Sequence, residues 1–259
     1  MKKNIWIWGI VAIVCVGIII GGYSIYVNKA DEANDHKQSG HGGHSASTAS
    51  EVTPKVSYAN GEITIELKDK NGNIPSLEVS HEKLMHLIVV GADLKEYYHL
   101  HPEEVGNGVY LQKFDLTGGS YKAFVDIKPK DLSYSVEPIE LHVGEGHQGH
   151  GENKLIIDTE FTKVINNQAV KLTISSFEVN KEVTLTFDVK DAKPEPYLGA
   201  LGHVVILDEN GEDFIHVHPA SNDETIFNTQ FTKPGVYKIW AEFKFGEQVN
   251  VYPFVIEIK

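Results

Sequence analysis

Cysteine is almost absent from this 259-residue chain, and its one copy, Cys15, lies in the N-terminal apolar segment. Everything after that segment lacks disulfides, thiolate zinc sites and thiol nucleophiles. Methionine is nearly as scarce. Beyond the start residue there is only Met85, which disfavours storage of Cu(I) on thioethers. Basic residues are outnumbered, with 23 Lys and Arg against 36 Asp and Glu and a net charge of −13. A surface of that sign repels nucleic acid and draws cations, so no nucleic-acid partner is expected. Catalytic signatures are missing too: there is no Gly-x-Ser-x-Gly, no His-Glu-x-x-His and no phosphate-binding glycine loop. These absences point away from an enzyme.

The one long apolar run is at the start. Lys2 and Lys3 precede an uncharged stretch from Ile5 to Val27, long enough as a helix to cross a bilayer with some tilt. A cleaved signal would have a shorter apolar core and small residues before the cut. Asn28-Lys29-Ala30 fits that poorly, and Val14 before Cys15 does not suit a lipoprotein box. Residues 1–29 therefore read as an uncleaved transmembrane anchor, with a cleaved signal as the alternative. The lysines favour a cytoplasmic N-terminus. That makes the chain a single-pass cell-membrane protein whose C-terminal domains are extracytoplasmic.

Two segments have little to bury. Residues 30–51 are rich in Gly, Ser and Ala and carry His36, His41 and His44; they read as a flexible stalk whose GHGGH could hold metal loosely. Residues 144–154, GEGHQGHGENK, carry His147 and His150 and read as a linker between two halves.

Those halves, 52–143 and 155–259, repeat one another. Asn60-Gly-Glu-Ile-Thr in the first answers to Asn180-Lys-Glu-Val-Thr in the second. HLIVVGADLKEYYHLHP (His86 to Pro102) has the same H-x12-H-x-H-P spacing as HVVILDENGEDFIHVHP (His203 to Pro219). Phe114 and Phe231 each follow the last histidine by thirteen residues, and TGGSYKAFVDI matches KPGVYKIWAEF. Landmarks in one order at equal gaps indicate tandem duplication. Short alternating runs of Val, Ile, Thr, Tyr and Phe, broken by Gly, Asn-Gly and Pro, point to antiparallel strands. The expected fold is all-β, two tandem immunoglobulin-like β-sandwich domains after an N-terminal transmembrane helix.

Asn210-Gly211 is a strong hairpin signal, expected as a type I′ turn with both central residues at positive φ. Counting outward, Val205 faces His216 and His203 faces His218. Alternation then puts all three histidines on one face. Equal spacing predicts the same cluster for His86, His99 and His101, with Ala92-Asp-Leu-Lys95 as a poorer turn sequence. Asp93 and Asp208 lie towards the turns, away from the histidines.

Clustered imidazoles cannot all be charged, and burying them without partners costs several kcal/mol. A divalent ion resolves both problems, since neutral imidazole is a common transition-metal ligand. The expected metal ligands are His86, His99, His101, His203, His216 and His218. Nitrogen donors suit copper(II) or zinc(II). His81, Glu82 or Met85 could supplement the first site, whereas YLGALG before His203 offers nothing comparable, so the two sites need not match. His142 reads as structural or linker-facing.

The pattern YLGALGHVVIL…HVHP…PGVYKIWAEF resembles secreted bacterial proteins, and the repeats are similar to YtkA-like immunoglobulin-type domains and, more distantly, to the CopC-like copper proteins. That resemblance implies an extracytoplasmic β-sandwich concerned with copper or another metal, and it supplies no activity. The expected partners are a transition-metal ion, the membrane through the N-terminal helix, and a protein partner in metal handling. The competing reading is a cell-surface adhesion or assembly module whose histidines are structural.

Overall fold

Period-two alternation builds most of the strands. In β2 (Glu62–Asp69), Ile63, Ile65 and Leu67 are buried while Glu66 and Lys68 face solvent. The computed structural model describes residues 49–144, 154–190, 192–217 and 219–259, except for the side chain of His216. The anchor, the stalk up to residue 48, linker residues 145–153 and His218 lie outside the described residues, as do His36, His41, His44, His147 and His150. All described residues belong to one compact unit, His41–Lys259. They are all-β. No helix among them is long and apolar enough to cross a membrane.

The first repeat adds β1 (Val52–Ala59), β3 (Leu77–Glu78), β4 (Met85–Gly91), β5 (Tyr97–Leu100), β6 (Glu103–Gly106), β7 (Val109–Lys113), β8 (Gly119–Pro129) and β9 (Ile139–Val143). One sheet runs β1-β2-β7-β6; in the other, β5, β4 and β8 are neighbours and both β3 and β9 pair with β8. The second repeat contains β10 (Thr162–Ile165), β11 (Gln168–Ile174), β12 (Glu182–Val189), β13 (His203–Asp208), β14 (Phe214–Val217), β15 (Ile226–Gln230), β16 (Gly235–Phe245) and β17 (Gln248–Ile258). Its sheets run β10-β11-β12-β15 and β14-β13-β16-β17. The strands β1, β2, β7 and β5, β4, β8, β9 thus recur in order as β11, β12, β15 and β14, β13, β16, β17. Each repeat is an antiparallel immunoglobulin-like sandwich with its own core. A tyrosine hydroxyl marks the same corner in each: Tyr121 donates to Thr117 O (3.0 Å) and Tyr237 to Lys233 O (2.9 Å).

A lone sandwich leaves the outer faces of its sheets wet and alternating. β4 is instead buried at every position, and β13 at all but its last. The reason is a third core between the repeats, formed by Ile88, Val90, Leu94 and Phe124 from the first and Val205, Leu207, Phe214 and Trp240 from the second. Its contacts are reciprocal. Phe124 of β8 stacks on Phe214 (5.0 Å), and Trp240 of β16 stacks on Tyr97 of β5 (5.0 Å). Lys122 reaches across to Asn210 O at 2.8 Å, and Lys238 to Leu94 O at 2.6 Å. Equivalent residues play equivalent parts from both sides, as in a two-fold interface between identical subunits.

The hairpin registers are those expected: Val205 opposes His216, and Ile88 opposes His99. The turn type is not. Asn60-Gly61 between β1 and β2 has both φ values positive (53° and 77°), whereas at Asn210-Gly211 only Gly211 does (65°). The cause is Asp208, whose carboxylate accepts from the amides of Glu212 (2.6 Å) and Asp213 (2.9 Å) and gathers a wider loop. Gly211 N–H closes that loop on Asp208 O at 3.0 Å. Register survives because the extra residues are shared evenly by both strands. Leu94, at φ 58°, occupies the same place in the first repeat and closes on Gly91 O at 2.7 Å.

Candidate metal centre

Three histidines of the first repeat converge at one end of the inter-repeat face. Met85 and His86 are neighbours on β4, so they point to opposite faces. Met85 enters the first repeat's core, which removes it as a supplementary ligand, and His86 faces the second repeat, only 2 % exposed. Register places His99 diagonally from His86, and His101 directly opposite, just past the end of β5. The ring centroids are 5.2 Å apart for His86–His99, 5.1 Å for His86–His101 and 4.7 Å for His99–His101. Each residue offers one ligand nitrogen, and these three lie within 4.8 Å of one another. The group could hold a metal ion.

One histidine of the second repeat joins them. His203 of β13 lies within the same group, its ring 5.8 Å from that of His99 and 6.2 Å from that of His81. His81 stands 6.3 Å from His86. The backbone of His216 opposes Val205; its side chain and the whole of His218 lie outside the described residues. His142 is elsewhere, paired with Ser120 Oγ at 3.1 Å on an exposed edge.

Outer partners fix which ring nitrogen carries the proton. His86 Nε2 meets Ser80 O at 3.0 Å, and His203 Nε2 meets Tyr197 O at 2.8 Å, each a carbonyl six residues upstream. A carbonyl only accepts, so both rings carry N–H at Nε2 and a lone pair at Nδ1. His99 Nδ1 lies 2.6 Å from Glu242 Oε2, both side chains almost wholly buried. That carboxylate holds the proton on Nδ1 and leaves the lone pair on Nε2. His86 Nδ1 and His99 Nε2 then face each other at 3.0 Å. Two lone pairs at that distance repel unless a cation lies between them, either a proton or a metal ion. Beside them, His101 Nε2 is buried and has no hydrogen-bond partner among the described residues.

Electrostatics disfavour charge on three of the rings. Burial depresses His86 to about 4, partly offset by the Ser80 carbonyl, and depresses His203 to about 4 and His101 to about 3. Neighbouring imidazoles push all three in the same direction. Neutral imidazole is the ligating form. Burial also raises Tyr97, helped by the Glu242 carboxylate nearby.

Sequence reasoning missed Glu242, Tyr197 and Asp126. Glu242 sits across from His203 on β16, and Asp126 occupies the matching position across from His86 on β8. Each lies in a Tyr-containing strand, in the segments KAFVD and KIWAE. An acid at the same place in both copies, in strands otherwise apolar there, was the available signal. The YLGALG segment supplies a carbonyl where no side-chain ligand was visible.

The chain belongs to a family defined by a domain of unknown function (DUF8832), whose profile matches residues 43–144 and again 162–259. No curated protein matches. Among solved structures, a two-domain fibronectin type-III segment of chicken tenascin is similar, at 9% identity and a TM-score of 0.28, over 79% of this chain and 97% of that one. The Escherichia coli adhesin FdeC is 17% identical with a TM-score of 0.25, over 83% of this chain and 66% of that one. Likenesses this distant carry no functional argument, and the sandwich assignment rests on the strand order itself.

Proposed function

We propose that this protein binds a transition-metal ion, Cu(II) or Zn(II), through His86, His99 and His101, and that it is a binding protein, not an enzyme. The observation that carries the reading is the pair of inner nitrogens, His86 Nδ1 and His99 Nε2, 3.0 Å apart with the opposite nitrogen of each ring already engaged. The carboxylate behind His99 has the outer-partner role common at metal sites, where it orients the ring and raises its basicity. A tetrahedral ion with bonds of about 2.0–2.1 Å needs nitrogens about 3.3 Å apart, so this pair is nearly in place and His101 moves inward.

The proposal extends to location. The N-terminal segment would hold the repeats outside the cytoplasmic membrane, where copper and zinc are met before entry, with a protein partner receiving or supplying the ion. Fractionation with N-terminal sequencing of the mature protein separates an anchor from a cleaved signal. An adhesion role with purely structural histidines leaves the buried His101 Nε2, which has no hydrogen-bond partner among the described residues, without an explanation.

The test is calorimetric titration of the full chain with Cu(II) and with Zn(II), wild type against His99→Gln. The expected result is one ion per chain bound more tightly than about micromolar, an affinity of roughly −8 kcal/mol, and its loss in the variant. Equal behaviour of the two proteins would return the histidines to a structural role.

A further inference from the structure

The three proposed ligands all come from the first repeat, yet the carboxylate behind them comes from the second. Strand β16 presents alternate side chains to the first repeat. Lys238 Nζ donates to Leu94 O at 2.6 Å, Trp240 stacks on Tyr97 at 5.0 Å, and Glu242 Oε2 lies 2.6 Å from His99 Nδ1. The last of these rungs reaches the histidines. Its side chains are buried, Glu242 at 5% exposure and His99 at 1%, and His99 is the ion-pair partner of Glu242 among the described residues. A carboxylate buried without a full countercharge is costly. Asp126 stands at the matching position of β8, across from His86, and its charge acts on both His86 and His81. Each repeat thus brings one acid to the cluster. A doubly charged ion balances the two, and a singly charged one does not.

We propose that Glu242, acting from the second repeat, sets the charge selectivity of the site, so that it holds a divalent ion and disfavours Cu(I). This rests on the metal-binding reading of the site. Glu242 is a positioning residue: it touches His99 and not the ion. An ion on His99 Nε2 draws electron density through the ring and makes the Nδ1 proton a stronger donor to the carboxylate. That gain grows with the charge of the ion, so Cu(II) gains more than Cu(I) from the same partner. The donor set acts in the same direction. Soft sulfur ligands favour Cu(I), and the one nearby sulfur, on Met85, is turned into the first repeat's core. The affinity and selectivity of a site built on β4 and β5 therefore depend on a strand of the other sandwich.

The test uses the full chain in detergent, loaded with one equivalent of Cu(II). Chelator competition gives the affinity for Cu(II), and a mediated electrochemical titration gives the midpoint potential of the bound Cu(II)/Cu(I) couple. Glu242→Gln keeps an acceptor for His99 Nδ1 but removes the charge. It should weaken Cu(II) binding by about 10–100-fold, the usual loss for an outer partner. Cu(I) binding should weaken less, so the midpoint rises, by about 59 mV for each tenfold difference between the two losses. Near-UV circular dichroism of the metal-free variant checks that it folds. If it does not, the wild type decides alone: a midpoint below that of uncomplexed copper supports the inference, and one above overturns it. A midpoint that does not rise in a folded Glu242→Gln protein overturns the selectivity and leaves the first-repeat metal site standing. Failure of the wild type to bind Cu(II) at all overturns the metal reading itself, and this inference with it.

Discussion

Each imidazole has two nitrogens, and on three rings of this cluster the outer one is occupied before any ligand arrives. Ser80 O, Tyr197 O and Glu242 hold the outer protons of His86, His203 and His99, so the lone pairs of these rings lie on the inner nitrogens. The arrangement has a cost in acid. His86, His203 and His101 are held at about 4, 4 and 3, below the 6.5 of a free imidazole. As pH falls, the unfolded chain takes up protons first, so stability is full above about pH 6.5 and is lost progressively towards about pH 4. Urea titrations of the metal-free protein across that range should show a falling midpoint, and His101→Gln should flatten the slope. A constant midpoint from pH 7 to pH 4.5 would contradict the burial of neutral rings. The histidine spacing was legible from the sequence because alternation and register depend only on counting. Glu242 was not, because its contact with His99 spans 143 positions and two sandwiches.

At the scale of elements, the hairpins show how register can be read correctly while the turn is misread. Asp208 captures two amides, and only Gly211 needs a positive φ. A Cβ at Gly211 would also come within 3.3 Å of Lys122 and 3.4 Å of Leu94, the residue in its own place in the other repeat. Gly211→Ala should therefore destabilise by about 1–2 kcal/mol, the left-handed penalty plus crowding, read as a lower urea midpoint with an unchanged slope. A neutral substitution would mean that the loop relaxes freely. Leu94 bears the same backbone cost but buries its side chain in the interface, which offsets it. The strands themselves carried a second signal. MHLIVVG and HVVILD are apolar on both faces, where a free-standing sandwich strand would alternate. Those runs recorded the packing of the repeats on each other, which the pattern of a single repeat cannot specify.

At the scale of the molecule, duplication has produced an internal two-fold interface, with the histidines at one end and the two turns at the other. Trp240 and Phe124 hold equivalent places in it, each stacked on an aromatic ring of the other repeat. Trp240→Ala should cost about 3–5 kcal/mol, the usual loss for a buried aromatic. It should also split the single unfolding transition expected of the metal-free protein into two, since each sandwich has its own core. Calorimetry decides. One transition in both proteins would mean that the repeats are coupled by something other than this face.

The proposed site puts a metal ion between His86, His99 and His101. Crystals of the protein grown with Zn(II) or Cu(II), measured at the absorption edge of that metal, test it most directly. An anomalous peak about 2.0–2.1 Å from His86 Nδ1, His99 Nε2 and His101 Nε2 is the predicted result. Metal found only at other histidines, with His86 and His99 still hydrogen-bonded to each other, would contradict it.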